Sequence, residues 1–429
     1  MGKYLFKNGR YLAYDNQRLS VKRGDILVED TLITKIAESI EDAQAEVIDA
    51  SAGFVMPGLI NTHTHAAMTL LRSYADDMEL KTWLEEKIWP AEANLEAEHV
   101  YWASMLAFAE MIRSGTTTYA DMYFYMDQVA EATLEIGMRA VLARGLIEFT
   151  DPDKKNIQET IDLIKKYHNT GDGTITCLFG PHAAYTCTPD YIQAVIEAAD
   201  QQGVGIHIHI AETAQEIQDI QKMYGKTPVE HLEATGLFNR HVVAAHCVHV
   251  SETDIDILKK YNVGVCHNPT SNLKLASGIA PVPQMLAAGL HVGIGTDGAS
   301  SNNNLNMFEE MHLTSLIHKG HTLDPMVTSA EEVLKMATIE GAKVLGIADK
   351  VGSVEVGKKA DLIMIDLQKT HLAPEADLMA NMVYSAQGSD VQHVMINGKM
   401  VLQDYRLLTA NESVIIDKAA EMKAQMLKT

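Results

Sequence analysis

Residues 54–65, Phe54-Val55-Met56-Pro57-Gly58-Leu59-Ile60-Asn61-Thr62-His63-Thr64-His65, pass from an apolar run into two histidines spaced two apart. In an extended strand side chains alternate between faces, so His63 and His65 point the same way and both imidazoles can converge on one cation. Neutral imidazole is a common ligand for zinc and iron. The triplet alone is weak evidence, because histidines two apart also occur by chance. Its weight comes from the chain that follows.

From Val55 onward, short apolar runs alternate with helical segments, the pattern of βα units and a parallel sheet. The runs are Phe54 to Ile60, Thr116 to Ala120, Arg139 to Ile147, Ile175 to Phe179, Val204 to Ile210, His241 to Ala245, Val263 to His267 and His291 to Gly295. Glu98 to Arg113, Pro189 to Gln201, Glu252 to Tyr261 and Pro283 to Ala288 carry apolar residues at three- and four-residue spacing, as helices do. Two further helical stretches, Asn306 to His318 and Ala330 to Leu345, follow the last run. Eight strands with intervening helices imply a closed (β/α)8 barrel of the TIM type.

The flanks read differently. Residues 1–50 alternate as short strands with turn signals, and strands return at Asp361 to Asp366 and Val391 to Lys399, where Asn397-Gly398 is a hairpin signal. A last helix is expected over Asp417 to Leu427. Neither flank is large enough for a comfortable core of its own, so the two are expected to pair into one small β-sandwich domain. The expected division is residues 1–54 and 351–429 for that domain, the latter with the terminal helix, and 55–350 for the barrel.

With 429 residues, a large core is no difficulty. The 35 basic against 57 acidic side chains leave a formal charge of −22, which argues against nucleic acid or an anionic membrane as partner and for a small molecule. Cys177, Cys187, Cys247 and Cys266 contain no CxxC pair and read as buried reduced thiols. With no leader-like or membrane-spanning apolar stretch, the expected location is the cytoplasm.

Chemistry-bearing residues fall where the barrel strands end, which is where barrel enzymes place catalytic groups. His63 and His65 follow the first run and His182 the fourth, the fifth carries His207 and His209 with Glu212 just beyond, and His246 and Asp297 stand at the ends of the sixth and eighth. Three imidazoles and a carboxylate around a cation, with a position left for water, make a hydrolytic site.

This ordered set resembles the amidohydrolase superfamily along essentially the whole chain. Pro57 to His65 is similar to that family's first-strand signature, His209 with Glu212 to its fifth-strand motif, and Gly295-Thr296-Asp297-Gly298 to its last-strand motif. The resemblance implies one divalent metal, zinc first with iron or manganese as alternatives, held by His63, His65, His209 and Asp297. No lysine stands in Arg139 to Ile147 or Ile175 to His182 to bridge a second metal. Within the superfamily the chain resembles the 5-methylthioadenosine/S-adenosylhomocysteine deaminases, through Trp89-Pro90-Ala91-Glu92-Ala93-Asn94, Gly180 to Thr186 and His267 to Gly278.

That resemblance implies hydrolytic loss of the adenine amine. Glu212 would protonate the ring nitrogen, and His246 with Asp297 would take the water's proton. Glu92 would accept from ribose hydroxyls, His182 would touch substrate, and Arg144 would pair with the homocysteine carboxylate. The family's further arginine has no counterpart in Thr150 to Asn156. His207 and His249 are read as structural and loop residues, and Asn302-Asn303-Asn304 as a polar loop bordering the pocket. A homodimer or homotetramer is the family expectation. Two alternatives stay open: another mononuclear amidohydrolase acting on guanine, cytosine, a pterin or a chlorinated triazine, and a noncatalytic barrel scaffold.

Overall fold

The structure is a computed structural model that describes residues 2–428. Eight parallel strands run in sequential order around one sheet: Leu59–Thr64, Thr116–Tyr123, Arg139–Leu146, Ile175–Pro181, Ile206–Ile210, Val242–His246, Gly264–His267 and Val292–Ile294. The ring closes where the Asp297 N–H donates to the His63 carbonyl at 3.0 Å. Their side chains are almost wholly buried, as expected of strands covered on both faces. Helices such as Ala97–Arg113 and Pro189–Gln202 pack outside. The second is set locally: Thr188 accepts from the Tyr191 N–H, Pro189 opens the first turn, and Gly203 at φ +67° ends it.

Two expectations need correction. The run Phe54 to Ile60 is not one barrel strand. Gly53–Pro57 pairs antiparallel with Leu362–Asp366 in the other sheet, and only Leu59–Thr64 enters the barrel. The switch falls at Gly58, whose N–H donates to the Asp361 carbonyl at 3.0 Å and where any Cβ would collide with the Thr117 side chain. The stretch Ala330 to Leu345 is likewise two helices, Ala330–Met336 and Ile339–Val344. Between them the Ala337 carbonyl leaves the helical ladder to accept from Ile60 N of the first barrel strand at 2.9 Å.

The flanks do pair. Lys3–Asp15, Arg18–Glu29, Leu32–Ala37, Glu46–Asp49 and Gly53–Pro57 join Leu362–Asp366, Val391–Ile396, Lys399–Gln403 and Arg406–Leu407 in one nine-stranded sheet. Its halves face each other over a core of Phe6, Ile26, Val28 and Ile33 with Leu362, Met364 and Met395. Alternate residues Phe54, Met56, Ile363 and Ile365 face the barrel core instead. Asn397 and Gly398 both have positive φ, the turn that Asn-Gly favours. The terminal helix begins earlier than expected, at Glu412, because Asn411 caps it by accepting from the Ser413 N–H at 3.1 Å.

Candidate active site

The barrel strands end in backbone that L-residues seldom adopt. Ala211, His246, Cys247 and Asp297, just past or at the ends of the fifth, sixth and eighth strands, have φ of +52°, +74°, +48° and +60°. Such conformations cost on the order of 1–3 kcal/mol each and persist only where surroundings impose them. Here the Cys247 N–H is held by the Ile210 carbonyl at 3.0 Å and the Asp297 N–H by His63. Glu216 accepts from the N–H groups of Ala211 at 3.0 Å and Glu212 at 2.8 Å, fixing the turn that carries Glu212.

The expected metal ligands gather around His63 in two overlapping groups, His65 and Asp297 in one and His209 in the other, the latter joined by His246, which was expected to move protons. Nitrogens of His63 and His65 stand 3.4 and 3.3 Å from Asp297 Oδ1, and ligand atoms of His63, His209 and His246 lie within 4.8 Å of one another. Two donors at about 2.0–2.1 Å from a tetrahedral cation stand roughly 3.4 Å apart, so the spacing fits a shared ion. The outer nitrogens are occupied. His63 Nδ1 meets His207 Nε2 at 2.9 Å, His65 Nδ1 meets the Met122 carbonyl, and His209 Nδ1 meets the His182 carbonyl at 2.8 Å. Each Nε2 is thereby left to the centre. The buried His63 Nε2 has no hydrogen-bond partner, as a ligand nitrogen would not.

Electrostatics agree with ligation by neutral rings. Burial lowers the His63 pKa to about 4 and holds His209 well below its ordinary value. Burial works against the Asp297 carboxylate, but the His63 contact and the neighbouring His65 and His246 outweigh it and hold its pKa well below the ordinary value. Ser271 and Ser301 donate to Asp297 Oδ2 at 2.6 and 3.0 Å, leaving Oδ1 facing the histidines.

Glu212 and His246 stand beside this cluster, His246 Nε2 lying 3.8 Å from Glu212 Oε2. Burial raises the Glu212 pKa. It lowers that of His246, but the charges of Glu212 and Asp297 outweigh it and the net shift is upward. Asn272 Oδ1 holds the His246 ring through Nδ1 at 2.8 Å.

A cleft of about 670 Å³ opens above, lined by His65, Glu92, His182, Glu212, His246 and Asp297 among others. His63 and His209 lie beneath it, fully or almost fully buried. Tyr123 Oη donates to Glu92 Oε1 at 2.5 Å, and burial raises the Glu92 pKa to about 7 against that bond. His182 is held neutral by burial, its pKa about 3. Arg144 is not in this cleft but in an adjoining one, where its guanidinium already meets Glu159 and Asn156. His249 is a loop residue bonded to the Ser277 carbonyl at 2.6 Å.

Several contributors were missed by sequence reasoning. Tyr123, Trp83, Trp89 and Ser301 line the cleft, and His207 and Asn272 orient ligating or titrating rings. His207 carried a signal, since it shares a strand face with His209. Of the helical turns that roof the cleft, Leu80–Trp83 carried none, whereas Trp89–Glu92 lay in a motif that gave a role to Glu92 and none to Trp89.

A parallel barrel that gathers His63, His65, His209, His246 and Asp297 at the C-terminal mouth has the form of a metal-dependent hydrolase. Residues 54–401 match the amidohydrolase family model, and the chain belongs to that family. It is 50% identical over 428 residues, 99% of each chain, to a protein of Syntrophomonas wolfei named 5-methylthioadenosine/S-adenosylhomocysteine deaminase. It is 46% identical over 429 residues, all of this chain and 99% of the other, to a Methanosarcina mazei protein named 5′-deoxyadenosine deaminase. The crystal structure of an adenosine deaminase from Xanthomonas campestris with bound zinc superposes with a TM-score of 0.95 at 33% identity, covering 100% of this chain and 99% of that one.

Proposed function

We propose that this chain removes the adenine amine of 5′-substituted adenosines, S-adenosylhomocysteine and 5-methylthioadenosine foremost and 5′-deoxyadenosine or adenosine beside them, leaving the inosyl product and ammonia. The observation that carries this reading is that the metal-type cluster, Glu212, His246 and the ribose-type acceptor Glu92 open into one cleft, which continues into a second. A free-base deaminase needs neither Glu92 nor the adjoining cleft.

His63, His65, His209 and Asp297 would hold one divalent ion, zinc in this reading. When bound, the cation supplies Lewis acidity that brings a water's pKa from ~15.7 toward ~7. Glu212, its pKa raised by burial, holds a proton at its carboxyl and delivers it to the adenine ring nitrogen beside the amine-bearing carbon. His246 receives the proton that the attacking water gives up, its ring fixed by Asn272. His246 then gives that proton to the departing amine, the C–N bond breaks as the adduct's C–OH becomes the product carbonyl, and the hydroxyl proton returns to Glu212 as ammonia leaves. Glu92 accepts from the ribose hydroxyls, and His182 packs against the substrate.

The same proposal places the protein in the cytoplasm as a homodimer or homotetramer; light scattering on the purified chain measures the latter. Ammonia release from S-adenosylhomocysteine, 5-methylthioadenosine, 5′-deoxyadenosine, adenosine, adenine and guanine tests the activity. Preference for the 5′-substituted nucleosides is expected. Activity on free bases alone would overturn the reading.

A further inference from the structure

The second cleft, about 1690 Å³, shares Trp89, Glu92, Phe124 and Ile147 with the first, so a group projecting from a ribose at Glu92 has a way into it. Its lining holds one cation, Arg144, together with the carboxylates Glu159, Asp162 and Asp127. Arg144 is already engaged: Nε donates to Glu159 Oε2, Nη2 to Asn156 Oδ1 and Nη1 to the Gly145 carbonyl, each at 2.7 Å. These bonds use three of its five N–H groups, so a ligand carrying only a carboxylate either displaces Glu159 or shares the guanidinium with it, and in both cases sets a like charge beside that carboxylate, which opposes binding. An α-amino-acid terminus carries both charges and can exchange partners with the pair.

Resting on the deaminase reading above and on the carboxylate contact that the family resemblance implies for Arg144, we propose that its partner Glu159 takes the ammonium of a zwitterionic amino-acid tail on the 5′ side of the nucleoside. Glu159 thereby selects against tails that bear negative charge alone. The exchange is energetically accessible. Glu159 is 59% exposed and Arg144 14%, and a pair open to solvent on one side is worth only about 0–1 kcal/mol, so opening it costs little. Asn156 and the Gly145 carbonyl keep the guanidinium in place while Glu159 swings to the ligand. Glu159 is thus a specificity-determining residue, remote from the reacting carbon.

The test uses the full-length, metal-loaded protein and Glu159→Gln, with three substrates: S-adenosylhomocysteine, its analogue with hydrogen in place of the α-amino group, and 5′-deoxyadenosine, which has no tail. Each kcat/KM is divided by that of 5′-deoxyadenosine in the same protein, which also reports folding. In the unaltered protein the zwitterion is expected to exceed the deamino analogue by about fivefold or more. In Glu159→Gln that ratio should fall toward one, by loss on the zwitterion and gain on the anion. Equal values in the unaltered protein, or an unchanged ratio in the variant, overturn this role of Glu159 while turnover of 5′-deoxyadenosine leaves the deaminase reading standing. Silence on all three substrates overturns both.

Discussion

His207 Nε2 lies 2.9 Å from His63 Nδ1, and both rings are fully buried. Burial keeps the His207 ring neutral, so its Nε2 lone pair can accept the His63 Nδ1 proton. That fixes His63 in the tautomer whose Nε2 faces the cation site. Replacing His207 with Ala strands a buried donor and frees the ring to turn. We expect metal affinity to fall about 10–100-fold, with partial recovery in His207→Gln, whose amide oxygen can accept the same proton. Competition with a chromophoric chelator measures it; unchanged affinity in His207→Ala would show that barrel packing alone holds His63.

Glu212 is kept on a turn whose N–H groups are gripped by the buried carboxylate of Glu216. Because Glu212 is outside the ligand groups, Glu212→Gln should leave metal content intact and lower kcat about 10²–10⁴-fold, the usual worth of a positioned acid. Elemental analysis beside steady-state kinetics separates the two. Loss of metal in parallel with activity would instead make Glu212 part of the ion's own shell.

Glu92 gives a pH signature. Its pKa rises from 4.5 to about 7 on burial, so the folded protein binds the extra proton between those values. Its contribution to stability is therefore greatest below pH 4.5 and is lost as pH rises to about 7. Function runs the other way, because only the carboxylate form accepts from both ribose hydroxyls. KM for nucleosides should climb as pH falls through about 7, while Glu92→Gln flattens that limb and gains stability relative to the parent as pH rises from 4.5. Parallel KM and thermal-melting profiles of the two proteins would show it; superimposable profiles would place Glu92 outside the ribose contact.

What could be read from the sequence was whatever has a local period. Strand alternation and βα spacing revealed the barrel, and i, i+2 histidines with strand-end His and Asp revealed the cluster. Gly58 was opaque because an apolar run does not say which sheet each half joins; the steric clash with Thr117 that makes glycine necessary is tertiary. The break at Ala337 depends on a carbonyl diverted to Ile60, again a contact across the fold. Arg144 was legible as a strand-end arginine, but not its occupation by Glu159, 15 residues onward on another element. Tyr123 and Trp83 lacked any motif, since lining a cleft requires no particular spacing.

Arg139 and Asp361 join the barrel to the flanking sheet, with Arg139 Nε 2.7 Å from Oδ2 and Nη2 3.0 Å from Oδ1, both side chains 2% exposed. Asp361 Oδ1 also accepts from the Asn397 N–H at 2.8 Å, which ties the Asn397-Gly398 turn to the same point. Gly398 there packs so closely on the Asp30 carbonyl that a side chain would not fit. Removing one partner leaves an uncompensated buried charge, so Arg139→Ala should lose about 3–5 kcal/mol. Replacing both by apolar residues, Arg139→Met with Asp361→Leu, removes the charge along with its partner and should lose far less, the remaining deficit being the bonds to the Asn397 N–H and the Gly173 carbonyl. Thermal unfolding of the metal-loaded proteins, followed with bound metal, discriminates between these outcomes. If the double variant is no more stable than the single one, the junction depends on the hydrogen bond Asp361 accepts from the turn and not on its charge pairing with Arg139.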